Sequence, residues 1–118
     1  MAFPSFEDLE VWKRACQSAV YVYESLDGTR DWGPRDQMQR AAVSVASNIA
    51  EGYERSDREF SRFLTIARGS SSELRTQAFI AEKVDVISRE SRLQIVEETR
   101  QLNRMLFALA KSRTSPET

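Results

Sequence analysis

Apolar residues recur at spacings of three and four along most of the chain, and this spacing limits the possible fold more than any other feature. Because an α-helix repeats every 3.6 residues, such residues form one stripe along the side of a helix. No segment shows the two-residue alternation that is typical of a half-buried strand. Four helical segments of ~20 residues with short connections therefore predict an all-α fold, an antiparallel up-down-up-down four-helix bundle.

The expected helix boundaries follow from residues that favour the first or last turn of a helix. Serine caps the first free N–H groups, and proline fits the first turn because its missing N–H needs no partner there. We predict that the four helices begin near Ser5, Pro34, Ser56 and Ser88. Asp27-Gly28 ends the first helix and the third reaches about Lys83. We expect one domain over residues 1–112 and a disordered tail over residues 113–118.

The first helix carries two apolar stripes, and one of them is expected to face the core. The larger consists of Phe6, Leu9, Trp12, Cys16, Val20, Tyr23 and Leu26. The smaller consists of Val11, Ala15, Ser18 and Val22. We predict that the larger stripe faces the core, and that the smaller either contacts a neighbouring protomer or widens the core face.

Composition excludes several classes of chemistry within a single chain. Histidine is absent and Cys16 is the single cysteine, so there is no intrachain disulfide, zinc site, Ser-His-Asp triad or Cys-His pair. We expect no catalytic residue, metal ligand, cofactor or small-molecule substrate, and no signal peptide or membrane contact. The lone cysteine fits a reducing, cytoplasmic location. The net charge is −1, although 14 of the 17 basic residues are arginine, which suits carboxylate or phosphate partners.

Polar residues lie at helical spacing on one flank of the second helix and on a matching flank of the third. We expect an inter-helix polar network that consists of Arg40, Ser44, Asn48, Glu51, Ser70 and Glu73. Buried carboxylates need partners, and Arg40 or Arg75 can supply them. The same residues also allow two other interpretations, an interaction surface or a carboxylate-bound metal site at Glu51 and Glu73.

The end of the second helix adds a glycine and an arginine cluster. Gly52 is expected to be the helix cap, one residue past the end and in the left-handed conformation. Arg55, Arg58 and Arg62 follow at spacings of three and four, so their side chains share one side. They are candidates for binding a nucleic-acid backbone, or form a solvated face that Glu54, Asp57 and Glu59 neutralise. A weaker basic stripe on the fourth helix consists of Arg100, Arg104 and Lys111.

The segment QMQRAAVSVASNIAEGYERSDREFSRFLTIARGSSSEL, residues 37–74, resembles the signature of the bacterial 23S ribosomal RNA intervening-sequence protein family. The matching elements are Arg-Ala-Ala, Ser-x-x-x-Asn-Ile-Ala-Glu-Gly, Glu-Phe-x-x-Phe-Leu and Gly-Ser-x-x-Glu-Leu. The opening FEDLEVWKRA is also similar to the usual start of the family. The resemblance implies an antiparallel four-helix bundle that assembles as a homopentamer, and a related retroelement accessory protein of that kind binds nucleic acid.

Three functions remain open at the level of sequence. The first is a non-enzymatic homo-oligomer, expected to be a pentamer, that binds RNA or DNA through an arginine-lined surface. The second is a protein-binding scaffold or adaptor with no nucleic-acid contact. The third, which we do not favour, is an enzyme with a metal at Glu51 and Glu73.

Overall fold

Four α-helices pack in an antiparallel bundle in the computed structural model of the protein, which describes residues 4–114. They are α1 (Glu10–Ser25), α2 (Trp32–Tyr53), α3 (Asp57–Lys83) and α4 (Arg89–Thr114), and a 3₁₀ turn at Phe6–Asp8 precedes them. Each helix packs against its neighbours in sequence, and α4 returns to pack against α1. No strand occurs among these residues. The predicted all-α four-helix bundle is confirmed.

Serine side chains cap the start of a helix or turn at three of the four predicted start positions. Ser56 Oγ accepts a hydrogen bond from the backbone N–H of Glu59 at 3.2 Å, and Ser88 Oγ accepts one from Ser91 at 3.0 Å. Ser5 forms a capping box with Asp8, but it caps the 3₁₀ turn. Leu9 then has extended backbone angles, so α1 begins only at Glu10. The second helix begins at Trp32, two residues before Pro34.

The fourth helix continues through Thr114. Arg113 and Thr114, the first two residues of the predicted tail, are therefore helical. Residues 115–118 of that tail, and residues 1–3 of the predicted domain, lie outside the described residues.

The core is built from the predicted stripes of α2, α3 and α4. It forms two clusters along the bundle axis, one around Met38, Leu74 and Ile95 and one around Ile49, Phe60 and Leu106. Three buried α2 residues, Ala41, Ala42 and Gly52, are small, and at Gly52 α3 approaches α2 closely. A buried polar side chain also links α3 and α4. Ser71 Oγ donates a hydrogen bond to the carbonyl oxygen of Thr99 at 3.2 Å.

The prediction that the larger stripe of α1 faces the core was wrong in part, because Leu26 is buried and Leu9 and Trp12 pack on the core but Val20 and Tyr23 are exposed. Of the two alternatives for the smaller stripe, burial in the core is the one that the structure shows. Val11, Ala15, Ser18 and Val22, the smaller stripe, are buried in the core. In the larger stripe Val20 is 57% exposed and Tyr23 48% exposed. Small side chains let this short helix lie close to α2 and α4, whereas Trp12 and Cys16 cover the α1–α2 boundary from outside.

Arg14 holds α1 in this rotation. Its guanidinium donates to both carboxylate oxygens of Glu98 on α4, at 2.8 and 3.2 Å, and also bonds to Gln101. Both side chains of the ion pair are about three-quarters buried. A bidentate ion pair at such a mostly buried position fixes the orientation of α1 relative to α4 and also stabilises the fold.

The end of α3 carries a residue whose backbone suits glycine better. Asp85 has φ 62°, and the N–H groups of Asp85 and Val86 bond to the carbonyls of Glu82 and Ala81, the pattern of a Schellman motif. Asp85→Gly is therefore expected to raise the free energy of unfolding by ~0.5–1 kcal/mol. Asp85→Val should lower it, because a β-branched residue resists positive φ. Urea denaturation of both variants measures the difference, and equal stabilities would contradict it.

Candidate functional site

The boundary between α2 and α3 contains a short hydrogen-bonded cluster. Ser44 Oγ and Ser70 Oγ lie 2.9 Å apart across the two helices. The side-chain amide of Asn48 donates to the carbonyl oxygen of Ser44 at 2.8 Å and to its hydroxyl at 3.0 Å. These three partly buried residues form hydrogen bonds with one another. The cluster therefore joins the two helices and is not an open binding site for a metal or ligand.

The charged members of the expected network lie elsewhere. Arg40 and Glu73 are exposed and make no hydrogen bond or ion pair with a described residue, although both line a shallow depression beside Ser44. Glu51 is exposed and pairs with Arg55 of its own helix at 3.4 Å. Arg75 donates to Thr99 Oγ1 and does not reach a carboxylate. Charged groups stay at the surface because burial would cost several kcal/mol.

The two carboxylates of the proposed metal site are also far apart. Ser44 faces Ser70 and Gly52 faces Phe63, so this antiparallel register places Glu73 opposite Ala41, ten residues from Glu51. At 1.5 Å per residue the separation along the axis is about 15 Å. Within residues 4–114, no group of three or more Cys, Asp or Glu side chains could hold a metal ion.

The α2–α3 cluster gives a paired prediction for stability. Asn48→Leu is expected to lower the free energy of unfolding by ~1–2 kcal/mol, because it removes both amide hydrogen bonds at a partly buried position. Glu73→Ala should change it by less than ~0.5 kcal/mol, because that side chain is exposed and unbonded. Chemical denaturation of both variants checks this, and equal losses would contradict the assignment of the cluster.

Gly52 corrects the prediction of a left-handed cap. It lies inside α2, which continues to Tyr53, and its φ is not in the left-handed region. A Cβ at this position would lie 2.5 Å from Cβ of Phe63 and 3.1 Å from Cδ1 of Phe60. Glycine is therefore needed because α3 crosses α2 at contact distance, and not because of backbone conformation.

The arginine cluster after Gly52 is largely neutralised by neighbouring carboxylates. Arg55 pairs with Glu51, and Arg62 pairs with Glu59 at 3.1 Å. The hydrogen bond from Arg62 lowers the pKa of Glu59, so this carboxylate stays ionised at neutral pH. Both guanidinium groups stack on the ring of Phe63, 4.8–4.9 Å from its centroid. Arg58 is exposed and pairs with no described residue.

An apolar surface runs along the outer side of α1 and α2, and we call it the α1/α2 surface. A groove between these helices is lined mostly by apolar side chains, among them Trp12, Cys16 and Val43. Tyr23 and Val43 extend this surface, and each is more than 40% exposed. Val20 instead lines the groove between α1 and α4, with Gln94 and Glu98. Burial raises the pKa of the Cys16 thiol, so it stays protonated at neutral pH.

A basic surface lies along the outer side of α3 and α4, and sequence reasoning found only its α4 half. We call it the α3/α4 face, and it consists of Arg68, Arg75, Arg92, Arg100, Arg104 and Lys111 together with Phe79 and Phe107. Contacts across the helices place part of this face, since Arg68 stacks on Phe107 at 4.8 Å and Arg92 on Phe79 at 5.2 Å. Arg100, Arg104 and Lys111 share the side of Phe107 by their helical spacing of three and four. The sequence shows by helical spacing that Arg68, Arg75 and Phe79 lie on one flank of α3. It does not show that this flank lies beside α4.

A sequence profile decides the family of the chain. The profile of the 23S rRNA-intervening sequence proteins matches residues 7–108, nearly the whole bundle. The chain belongs to this family. The residues 37–74 that carry the resemblance include the Ser44–Asn48–Ser70 cluster and Gly52, the groups that hold α2 against α3 in this family member.

A solved structure has the same fold. It is a protein of unknown function from the S23 ribosomal protein family of Bacteroides thetaiotaomicron VPI-5482, and it is 23% identical with a TM-score of 0.79. The similarity covers 86% of this chain and 98% of that one. No functionally curated protein matches the chain significantly. None of the helices in residues 4–114 has the length and hydropathy needed to cross a membrane.

Proposed function

We propose that this family member is a non-enzymatic cytoplasmic protein that assembles as a homopentamer and binds the phosphate backbone of RNA or DNA. The observation that supports nucleic-acid binding best is the stacking of arginines on aromatic rings. Among the described residues, two stacked guanidinium groups pair with no described carboxylate, Arg35 over Trp32 and Arg68 over Phe107, each 4.8 Å from the ring centroid. A stacked guanidinium is held in place while its N–H edge stays available to a phosphate oxygen.

A salt titration of binding tests this proposal. Fluorescence anisotropy of a single-stranded RNA of about 20 nucleotides, repeated with DNA of the same length, measures affinity from low to physiological salt. Backbone binding releases counterions, so the logarithm of the association constant should fall linearly with the logarithm of salt concentration. Failure of both probes to bind at low salt, or a flat salt response, would contradict the proposal.

The α1/α2 surface supports self-assembly. A ring of identical subunits needs two different complementary patches on each protomer, and exposed apolar groups are the usual core of such an interface. Tyr23 and Val43 belong to one such patch. Sedimentation equilibrium should give about five times the chain mass of 13.5 kDa, and a monomer at all concentrations would contradict the assembly.

The same apolar surface favours a second function, a protein-binding scaffold without nucleic-acid contact. Large exposed apolar patches commonly mark protein partners. An assembled protein that binds neither RNA nor DNA at low salt would favour this alternative.

A further inference from the structure

We infer that the α3/α4 face, and not the arginine cluster after Gly52, is the surface that binds the nucleic-acid backbone. This inference rests on the proposed function and names the residues that would carry it. The ligand chemistry is a chain of phosphodiester groups, which guanidinium groups recognise without reading base sequence. The difference between the two surfaces lies in how much of their positive charge is already compensated within the protein.

The cluster after Gly52 has little charge left for a ligand. Arg55 and Arg62 each have a carboxylate within 3.4 Å. Asp57 and Glu54 add two more acidic groups to the same turn, although Asp57 also approaches Arg113 at 3.6 Å. A phosphate here would have to displace existing ion pairs and would meet nearby carboxylates.

The α3/α4 face has an excess of positive charge. Arg68, Arg75 and Arg100 make no ion pair with a described carboxylate, and the hydrogen bond of Arg75 goes to the neutral hydroxyl of Thr99. Two other arginines of this face are paired, since Arg92 bonds to Glu82 at 2.6 Å and Arg104 lies 3.9 Å from Glu97. Three arginines without a described carboxylate partner leave a positive surface here, in a protein whose net charge is −1.

The shape of this face also suits an extended chain of phosphates. Ser72 and Asn103 bond across the helices at 3.0 Å, between the Arg68–Phe107 pair and the Arg75–Thr99 pair. The basic groups therefore follow one line along the boundary of the two helices. From Arg100 to Lys111 the line is about 16 Å long at 1.5 Å per residue, so it can contact more than one phosphate of a single strand.

Two double variants with equal charge changes test the inference on the full-length protein. Arg100→Ala/Arg104→Ala removes one unpaired and one ion-paired arginine from the α3/α4 face. Arg58→Ala/Arg62→Ala removes one unpaired and one ion-paired arginine from the other surface. All four side chains are exposed, so both variants should keep the thermal melting of the parent within a few degrees.

The first double variant should bind the single-stranded RNA probe at least about tenfold more weakly at low salt. Its salt slope should fall by about one for each lost phosphate contact, and the second double variant should bind like the parent. Equal weakening by both variants, or greater weakening by the second, would overturn the inference while leaving the proposed function standing. A parent protein that binds no nucleic acid at low salt would overturn both.

Discussion

Val22→Asp is expected to remove most of the stability of the protein. Val22 is fully buried in the core, and full burial raises the pKa of a carboxyl group by about three units or more. At about 1.36 kcal/mol per unit, the loss is about 4 kcal/mol or more, a large part of the 5–15 kcal/mol that is typical of a domain. Circular dichroism with urea titration measures it.

Val20→Asp is the matched control, two residues away on the same helix. Val20 is 57% exposed, so this variant should lose less than about 1 kcal/mol of folding stability. Equal destabilisation by the two variants would contradict the orientation of α1 in which Val22 faces the core and Val20 faces solvent.

The second large effect is expected at Gly52. Gly52→Val should lower the free energy of unfolding by about 3 kcal/mol or more, because its side chain would overlap the ring-bearing carbon of Phe63. That carbon is attached directly to the α3 backbone, so the overlap is relieved only if α2 and α3 move apart. Gly52→Ala should cost ~1–3 kcal/mol, although alanine is the better helix former.

Gly69→Ala provides the control for the Gly52 variants. Gly69 also lies inside a helix, but a Cβ there would meet nothing within 4 Å. This variant should gain up to about 1 kcal/mol from helix propensity alone. A stable Gly52→Ala protein, or the same change in stability at both positions, would contradict the close approach of α2 and α3.

Much of the fold was predictable because three helices carry one apolar stripe each. Met38, Leu74 and Leu102 are buried as their spacing predicts. Helix α1 carries two stripes, and periodicity does not say which of them is buried. The deciding contacts are made by Arg14 with Glu98, 84 residues away in sequence, and spacing within one helix carries no information on such a pair.

The candidate site was predictable only in part, for similar reasons. Ser44, Asn48 and Ser70 meet because their flanks face each other on adjacent antiparallel helices. The sequence indicated that glycine is required at position 52. The cause is the contact with Phe63 of α3, which the sequence of α2 does not reveal. The same holds for the α3/α4 face, where the Arg68–Phe107 stack joins residues that are far apart in the chain.

Photo-crosslinking tests the central claim most directly, because it locates bound RNA on the assembled protein. A single-stranded RNA that contains 4-thiouridine is irradiated with the full-length protein, and crosslinked peptides are identified by mass spectrometry. Crosslinks should concentrate in residues 68–79 and 100–111, where Phe79 and Phe107 lie among the basic groups. Crosslinks confined to residues 53–62 or to α1 and α2, or none at saturating protein, would contradict it.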